Sequence, residues 1–415
     1  MKGVSNLSRA GTRATVLVGF AEALSAPEVV WSLIDDGFKV VAFARRGRLS
    51  PLRYSRHVEC HEICAPESSL EKAASDLGAL MRLLSGAKGE EKLILLPLDD
   101  KAVFLCSRLQ LDADWRLAGP MGDSAQVALN KTLQVEAARS AGFSVPETLL
   151  VNTADDILDG LANLSFPLIL RPSECVPMQD GKLYKCPNWV CASHDELRAA
   201  LSQWSARVPL LAQPFIEGDG EGIFGVVMPE GIRAWSGHRR LRMMNPHGSG
   251  SSACISQPVP ADLKQKAEVL LKSINWRGIF MIELLHDRSG KVWFVELNGR
   301  PWGSMALSRR QGLEYPAWQA RLAMDQECSA GMTISSNRTG VVCRNVGREL
   351  MHLLFVLKGA KSKALTSWPS FWKTLGNVLR IRRGDTFYNW RSDDRKVFVA
   401  DCYCTIHDNL CKSRI

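Results

Sequence analysis

Two glutamates stand where apolar residues belong. Glu283 interrupts the run FMIELL and Glu296 interrupts FVELN, and both runs otherwise read as buried β-strands. A buried carboxylate without a partner costs several kcal/mol or takes up a proton, so one inside a strand implies a counter-charge or a metal. The tripeptide RSG at 288–290 is a turn signal that lays the two strands side by side, with Glu283 and Glu296 as cross-strand neighbours. Side chains alternate along a strand, which puts Asn298 and Arg300 on the face of Glu296. Two carboxylates, an amide oxygen and a guanidinium on one face make a hard-oxygen Mg²⁺ site with an anion clamp beside it. A structural Glu–Arg network on an open sheet face is the competing reading.

Such a site needs strands and helices to hold it. The chain has 415 residues, 46% hydrophobic and 23% charged, which suits two or three soluble domains. With 32 Gly and 19 Pro it is neither collagen-like nor disordered. No apolar run approaches the ~18 residues of a membrane span, and the N-terminus lacks a signal-peptide layout, so a cytoplasmic protein is expected. ATVLVGF (14–20), a helical stretch at 28–36 and FKVVAFARRG (38–47) form a βαβ unit on a parallel sheet. KLILLPLDD (92–100) adds a buried strand with acids at its carboxyl end. The first loop, GFAEALSAP, is not G-x-G-x-x-G, which argues against an NAD site.

From Gly119 the pattern changes. A helix over 123–143 is capped by Asp123 or Ser124 and closed by Gly142. A helix over 154–164 and strands at 166–172, 189–193, 209–216, 222–229, 232–241, 278–287 and 291–300 come next, with a helix at 261–274. The expected fold class is therefore α/β plus α+β, in three parts: residues 1–120, 121–330 and 331–415. The last part holds 15 basic and 6 acidic side chains and so carries the whole net charge of +9, which marks it as a separate basic unit.

The order of elements with Glu283, Glu296, Asn298 and Arg300 resembles the ATP-grasp superfamily, most closely its carbamoyl-phosphate-synthase-like branch. The resemblance spans about residues 14–330: a Rossmann-like pre-ATP-grasp domain followed by a two-lobed ATP-grasp fold. It implies ATP and Mg²⁺ (or Mn²⁺) as cofactors, with Glu283, Glu296 and Asn298 as metal ligands and Arg300 on the phosphate or acyl phosphate. It further implies Lys131 and Arg171 as cationic phosphate contacts and the hinge at Gln213, Phe215 and Ile216 against adenine. Glu221 falls at the ribose acid, and His238 near the nucleotide.

The implied reaction is ATP-dependent ligation of a carboxylate to an amine through an acyl phosphate, releasing ADP and phosphate. Small-molecule or carrier-bound carboxylates and amines would be the substrates. Arg240 and Arg242, on one strand face and leading into the Gly/Ser loop at 248–252, suit an anionic substrate. One departure stands out: the expected glycine-rich flap is SECVPMQDGKLYKCPN (173–188), with a single glycine, so Lys182 or Lys185 would have to supply charge there. The alternative is a degenerate ATP-grasp protein that binds nucleotide without catalysis.

Two further readings concern the C-terminal part. Cys402, Cys404, His407 and Cys411 crowd together, but their spacing matches no common zinc finger and Cys402 and Cys404 alternate as on a strand. Amphipathic helices at 347–359 and 370–383 with clustered arginines suggest docking of an acidic partner. A membrane surface is compatible but less favoured than packing against the chain's own core, and nucleic acid is disfavoured for want of a motif.

Overall fold

The computed structural model describes residues 14–87, 91–153, 156–157, 160, 165–204, 208–248, 250–325, 338–360, 364–365 and 367–412. The expected helix at 154–164 lies largely outside them, as does the boundary at 330. Strands β1 (Ala14–Gly19), β2 (Lys39–Arg45), β3 (Glu59–Ile63), β4 (Lys92–Pro97) and β5 (Trp115–Leu117) form a parallel sheet in the order β3–β2–β1–β4–β5. Every residue of β1 is buried, which is why it reads as an unbroken apolar run. Helix Ala26–Asp35 packs on one face and helix Leu70–Ala87 on the other.

Two further sheets complete the fold, antiparallel but for one parallel pair at the edge of the larger. The smaller has the order β10–β7–β11–β6, from β6 (Leu149–Val151), β7 (Leu168–Pro172), β10 (Trp189–Cys191) and β11 (Leu210–Pro214). Between β7 and β10 a short hairpin pairs β8 (Met178–Gln179) with β9 (Lys182–Leu183). The larger sheet runs β16–β15–β12–β13–β14–β17–β18. Its strands are β12 (Gly218–Met228), β13 (Gly231–Met243), β14 (Ser251–Gln257), β15 (Gly278–Asp287), β16 (Val292–Asn298), β17 (Val342–Arg344) and β18 (Thr386–Phe387). One face packs on helices Lys131–Ser140 and Ala261–Ser273, the other on Trp302, Met305, Leu313 and Tyr315.

Three expectations are corrected. The helix over 123–143 is two helices, Gly122–Leu129 and Lys131–Ser140, because Asn130 is extended and its side chain caps the second by accepting from Leu133 N–H. Ser251 and Ser252 belong to β14 rather than to a free loop. Cys402 and Cys404 lie in helix Arg395–Lys412, not on a strand, and no group of three His, Cys, Asp or Glu fit to hold a metal occurs among the described residues.

The charge step at 331 does not mark a break in packing. β17 continues the large sheet by pairing with β14, and helix Arg395–Lys412 rests on the turn Pro51–Tyr54 of the first part. Buried Asp394 accepts from Trp31 Nε1 at 3.1 Å and Ser55 Oγ at 2.6 Å. Glu28, 1% exposed, accepts from Arg309 at 2.9 Å, Arg310 at 3.0 Å and the Asn389 amide at 3.1 Å. Arg344, almost fully buried, bonds Glu349 and Asp385. Removing one partner from such a buried set would leave an uncompensated charge, so these contacts fix the three parts together.

Candidate active site

The RSG turn closes β15 against β16 in the register that pairs Glu283 with Glu296 and Met281 with Asn298. A bulge directly after Glu283 keeps both carboxylates on one face while Leu284 and Phe294 turn to the other. The side chains of Glu283 and Glu296 are 19% and 25% exposed, sheltered yet reachable. The next pairs continue the row: Glu283 faces Gly222 on β12, and Gly222 faces His238 on β13.

Glycines shape this face. A Cβ at Gly220 would lie 2.6 Å from the Arg240 side chain, so only glycine lets Arg240 cross β12 to bond Glu283 at 2.6 Å. At Gly222 a Cβ would meet His238 Nε2 at 3.0 Å. His238 is buried, with Nδ1 2.8 Å from Ser304 Oγ and its ring edge-on to Phe224. Burial, reinforced by the Arg240 charge, pushes its pKa down to about 3, so the ring is neutral.

Cations converge on Glu296 from three elements. Arg171, on β7, reaches Glu296 Oε2 at 3.4 Å and the Val295 carbonyl at 3.4 Å. The break at Asn130 starts a new helix at Lys131, whose amide donates to the Ser173 carbonyl at 2.7 Å and whose ammonium lies 3.2 Å from Cys175 Sγ. Burial raises the Glu296 pKa, but the charges of Lys131, Arg171 and Arg300 and the Asn298 amide more than offset this and hold it low. Asn298 Nδ2 donates to Glu296 Oε1 at 3.1 Å. Arg300 turns to the parallel sheet and forks onto Asp100 just past the end of β4, at 2.8 and 3.2 Å.

No family model and no curated protein matches the chain in sequence. Solved structures match in three dimensions. N5-carboxyaminoimidazole synthetase from Staphylococcus aureus, complexed with ADP, aligns with TM-score 0.54 at 17% identity, over 78% of this chain and 80% of that one. L-amino acid ligase from Bacillus licheniformis aligns with TM-score 0.57 at 14% identity, over 80% of each chain. Biotin carboxylase from Campylobacter jejuni, in its β-γ-ATP complex, aligns with TM-score 0.59 at 15% identity, over 79% of this chain and 74% of that one. All three are ATP-grasp enzymes with a pre-ATP-grasp domain. This chain has the ATP-grasp fold.

Within that fold the two lobes are the small and large antiparallel sheets, joined where β11 runs into β12. Gln213 is buried at this hinge and donates to Thr148 Oγ1 at 2.8 Å. The Phe215 amide donates to the Pro167 carbonyl at 2.7 Å, and Phe215 and Ile216 are half-buried. Glu221 does not join the set. It pairs with Leu284, so it projects from the opposite face of β12, with Oε1 3.5 Å from His286 Nδ1. Arg242 also departs from Arg240: a register shift between them sends Arg242 to Glu349.

The ATP-grasp flap is the least expected part. Four of its amides are already bonded: Ser173 to Pro209, Cys175 to Leu129, Leu183 to Pro66 and Tyr184 to Pro177. Leu183 and Val176 pack with Val103 and Phe104, tying the hairpin to the parallel-sheet part. Lys182 lines a cavity of about 470 Å³ together with Glu71, Phe104, Arg108 and Asp180, away from Glu283 and Glu296. Sequence reasoning missed Asp100, although the acids at the end of KLILLPLDD were its signal.

Proposed function

We propose that the chain is an ADP-forming ATP-grasp ligase that joins a carboxylate to an amine through an acyl phosphate. The observation supporting it is the Glu283–Glu296–Asn298 face, on which Lys131, Arg171, Arg240 and Arg300 converge from four elements. Two carboxylates and an amide oxygen fit a hard divalent ion, so Glu283, Glu296 and Asn298 would hold Mg²⁺ or Mn²⁺. When bound, the ion offsets charge on the ATP phosphates. Phosphoryl transfer asks a protein chiefly for positioning and charge stabilisation. Lys131 and Arg171 hold phosphate oxygens, and Arg300, braced by Asp100, meets the group being transferred. With four flap amides committed to carbonyls and a single glycine in the segment, these side chains do much of the work that a glycine-rich flap would share.

In this reading the hinge around Gln213, Phe215 and Ile216 receives adenine, and neutral His238 sets the floor beneath the metal face. Arg240 is placed to receive the substrate carboxylate, which would free Glu283 for the metal. Residues 1–120 close the site through Asp100, residues 121–330 carry its chemistry, and residues 331–415 brace both. Substrates are small or carrier-bound carboxylates and amines handled in the cytoplasm. A screen of amino acids, dipeptides and extract fractions for ADP release, with Mg²⁺ present, tests this. AMP formation, or absence of ATP binding, overturns it. ATP binding with no ADP release from any pool would instead support the binding-only alternative, which the four bonded flap amides favour.

A further inference from the structure

Helix Phe371–Leu379 is apolar on two faces. Thr374 is buried with Phe371, Leu375 and Val378 half-buried around it, whereas Trp372 and Leu379, seven residues apart on another face, are 76% and 69% exposed. Ile381, just beyond, is 66% exposed. The adjoining helix Val346–Lys358 repeats the arrangement with exposed Leu350, Leu354 and Leu357 at helical spacing. Amphipathic helices of soluble domains face their apolar stripe to the core, and single exposed leucines are ordinary. Two neighbouring helices with apolar stripes outward mark a binding face.

Charge says what covers it. The sequence from Gly359 to Gly384 has six basic side chains and no acidic one. Lys373, Arg380, Arg382 and Arg383 are exposed beside Trp372 and Leu379, and no side chain of the four forms an ion pair among the described residues, although the Arg382 amide donates to Asp385. The geometry points to an anionic lipid bilayer as the partner of this face, with Trp372, Leu379 and Ile381 in the headgroup–acyl boundary and the arginines on lipid phosphates. A second copy of the chain would set this cationic surface against itself. A soluble polyanion would satisfy the arginines and leave tryptophan and leucine in water. The face is also tied to the site: Trp368, just before the helix, donates to the Val356 carbonyl at 3.1 Å and packs on His247. His247 lies in the connection between β13, which carries His238 and Arg240, and β14.

Flotation of the full chain with phosphatidylcholine vesicles, with and without phosphatidylglycerol, tests this without ATP and so independently of the ligase reading. Binding is expected on anionic vesicles at low salt, weak on neutral ones, and reduced at high salt. At about 1 kcal/mol per arginine, Arg380→Ala/Arg382→Ala/Arg383→Ala together should lower partitioning on the order of 100-fold. Trp372→Ser/Leu379→Ser should lower it at least tenfold, whereas Trp372→Phe should largely retain it. All five positions are exposed, so thermal midpoints should match the parent chain. Three results overturn the proposal: no flotation with anionic vesicles; arginine dependence with a Trp372→Ser/Leu379→Ser variant that binds unchanged; or self-association of the parent that this variant abolishes.

Discussion

Replacing Glu296 by glutamine isolates charge from shape. The amide oxygen can still accept from Asn298 Nδ2, now 3.1 Å from Oε1, so the local hydrogen bond survives. The change removes one of the two carboxylates proposed as metal ligands, the one that Lys131, Arg171 and Arg300 face. A single preorganised electrostatic group at a transition state is worth about 3–4 kcal/mol, so kcat should fall on the order of 10²–10³-fold. ATP binding without metal should change little, because the three cations remain. The metal concentration needed for half-maximal turnover should rise. ADP release against Mg²⁺ concentration, with nucleotide affinity by calorimetry, separates these effects. Glu283→Gln should behave alike, and the double variant should lose little more than either single, since the two ligands act as a unit. Turnover of Glu296→Gln within about threefold of the parent would refute the metal-face reasoning.

Lys131→Met or Arg171→Met should raise the KM for ATP by roughly tenfold or more in the same assay, with the fold intact by circular dichroism. Asp100→Asn removes the counter-charge that braces Arg300 across two parts of the chain, which are partly solvent-exposed there. Stability should drop by about 1–3 kcal/mol in denaturant titration. Burial raises the Glu22 pKa to about 7 against the pull of Arg45, so the folded state holds this proton more tightly than the unfolded chain. That stability is full below the unfolded value of 4.5 and is lost as pH rises through about 7. It amounts to on the order of 2–3 kcal/mol between about pH 5 and pH 8. Glu22→Gln should flatten this slope, and an unchanged slope would show that another group carries it.

The legible parts were those fixed by local period and one turn. β15 occupies the expected residues and β16 differs by one residue at its start and two at its end, because an apolar run with a single charge can only be a strand whose charged face is used. The tight turn then set the register and with it the pairing of Glu283 with Glu296. The face of Glu221 was not legible, for the complementary reason. Its type and neighbourhood suited a ribose acid, but its face depends on how β12 pairs with β15, two elements separated by β13, β14 and a helix. A one-residue change of register reverses every side chain, and nothing near Glu221 fixes that register. Asp100 is likewise a long-range partner, 200 positions from Arg300.

The helix break at Asn130 joins these levels. Composition favours one helix across 123–143, and a continuous helix would carry Lys131 past the site on its flank. Instead Asn130 leaves helical geometry, pairs as an isolated bridge with Glu174 and caps helix Lys131–Ser140. Asparagine tolerates this because its side chain replaces a lost helix hydrogen bond. The same bridge draws flap residues Ser173 and Cys175 alongside Leu129 and Lys131 through backbone bonds of 2.7 and 2.8 Å. The cation and the base of the flap are therefore one structural element. In the proposed reading, a flap whose base is held in this way moves with Lys131, and charge beside it comes from side chains on strands and helix ends.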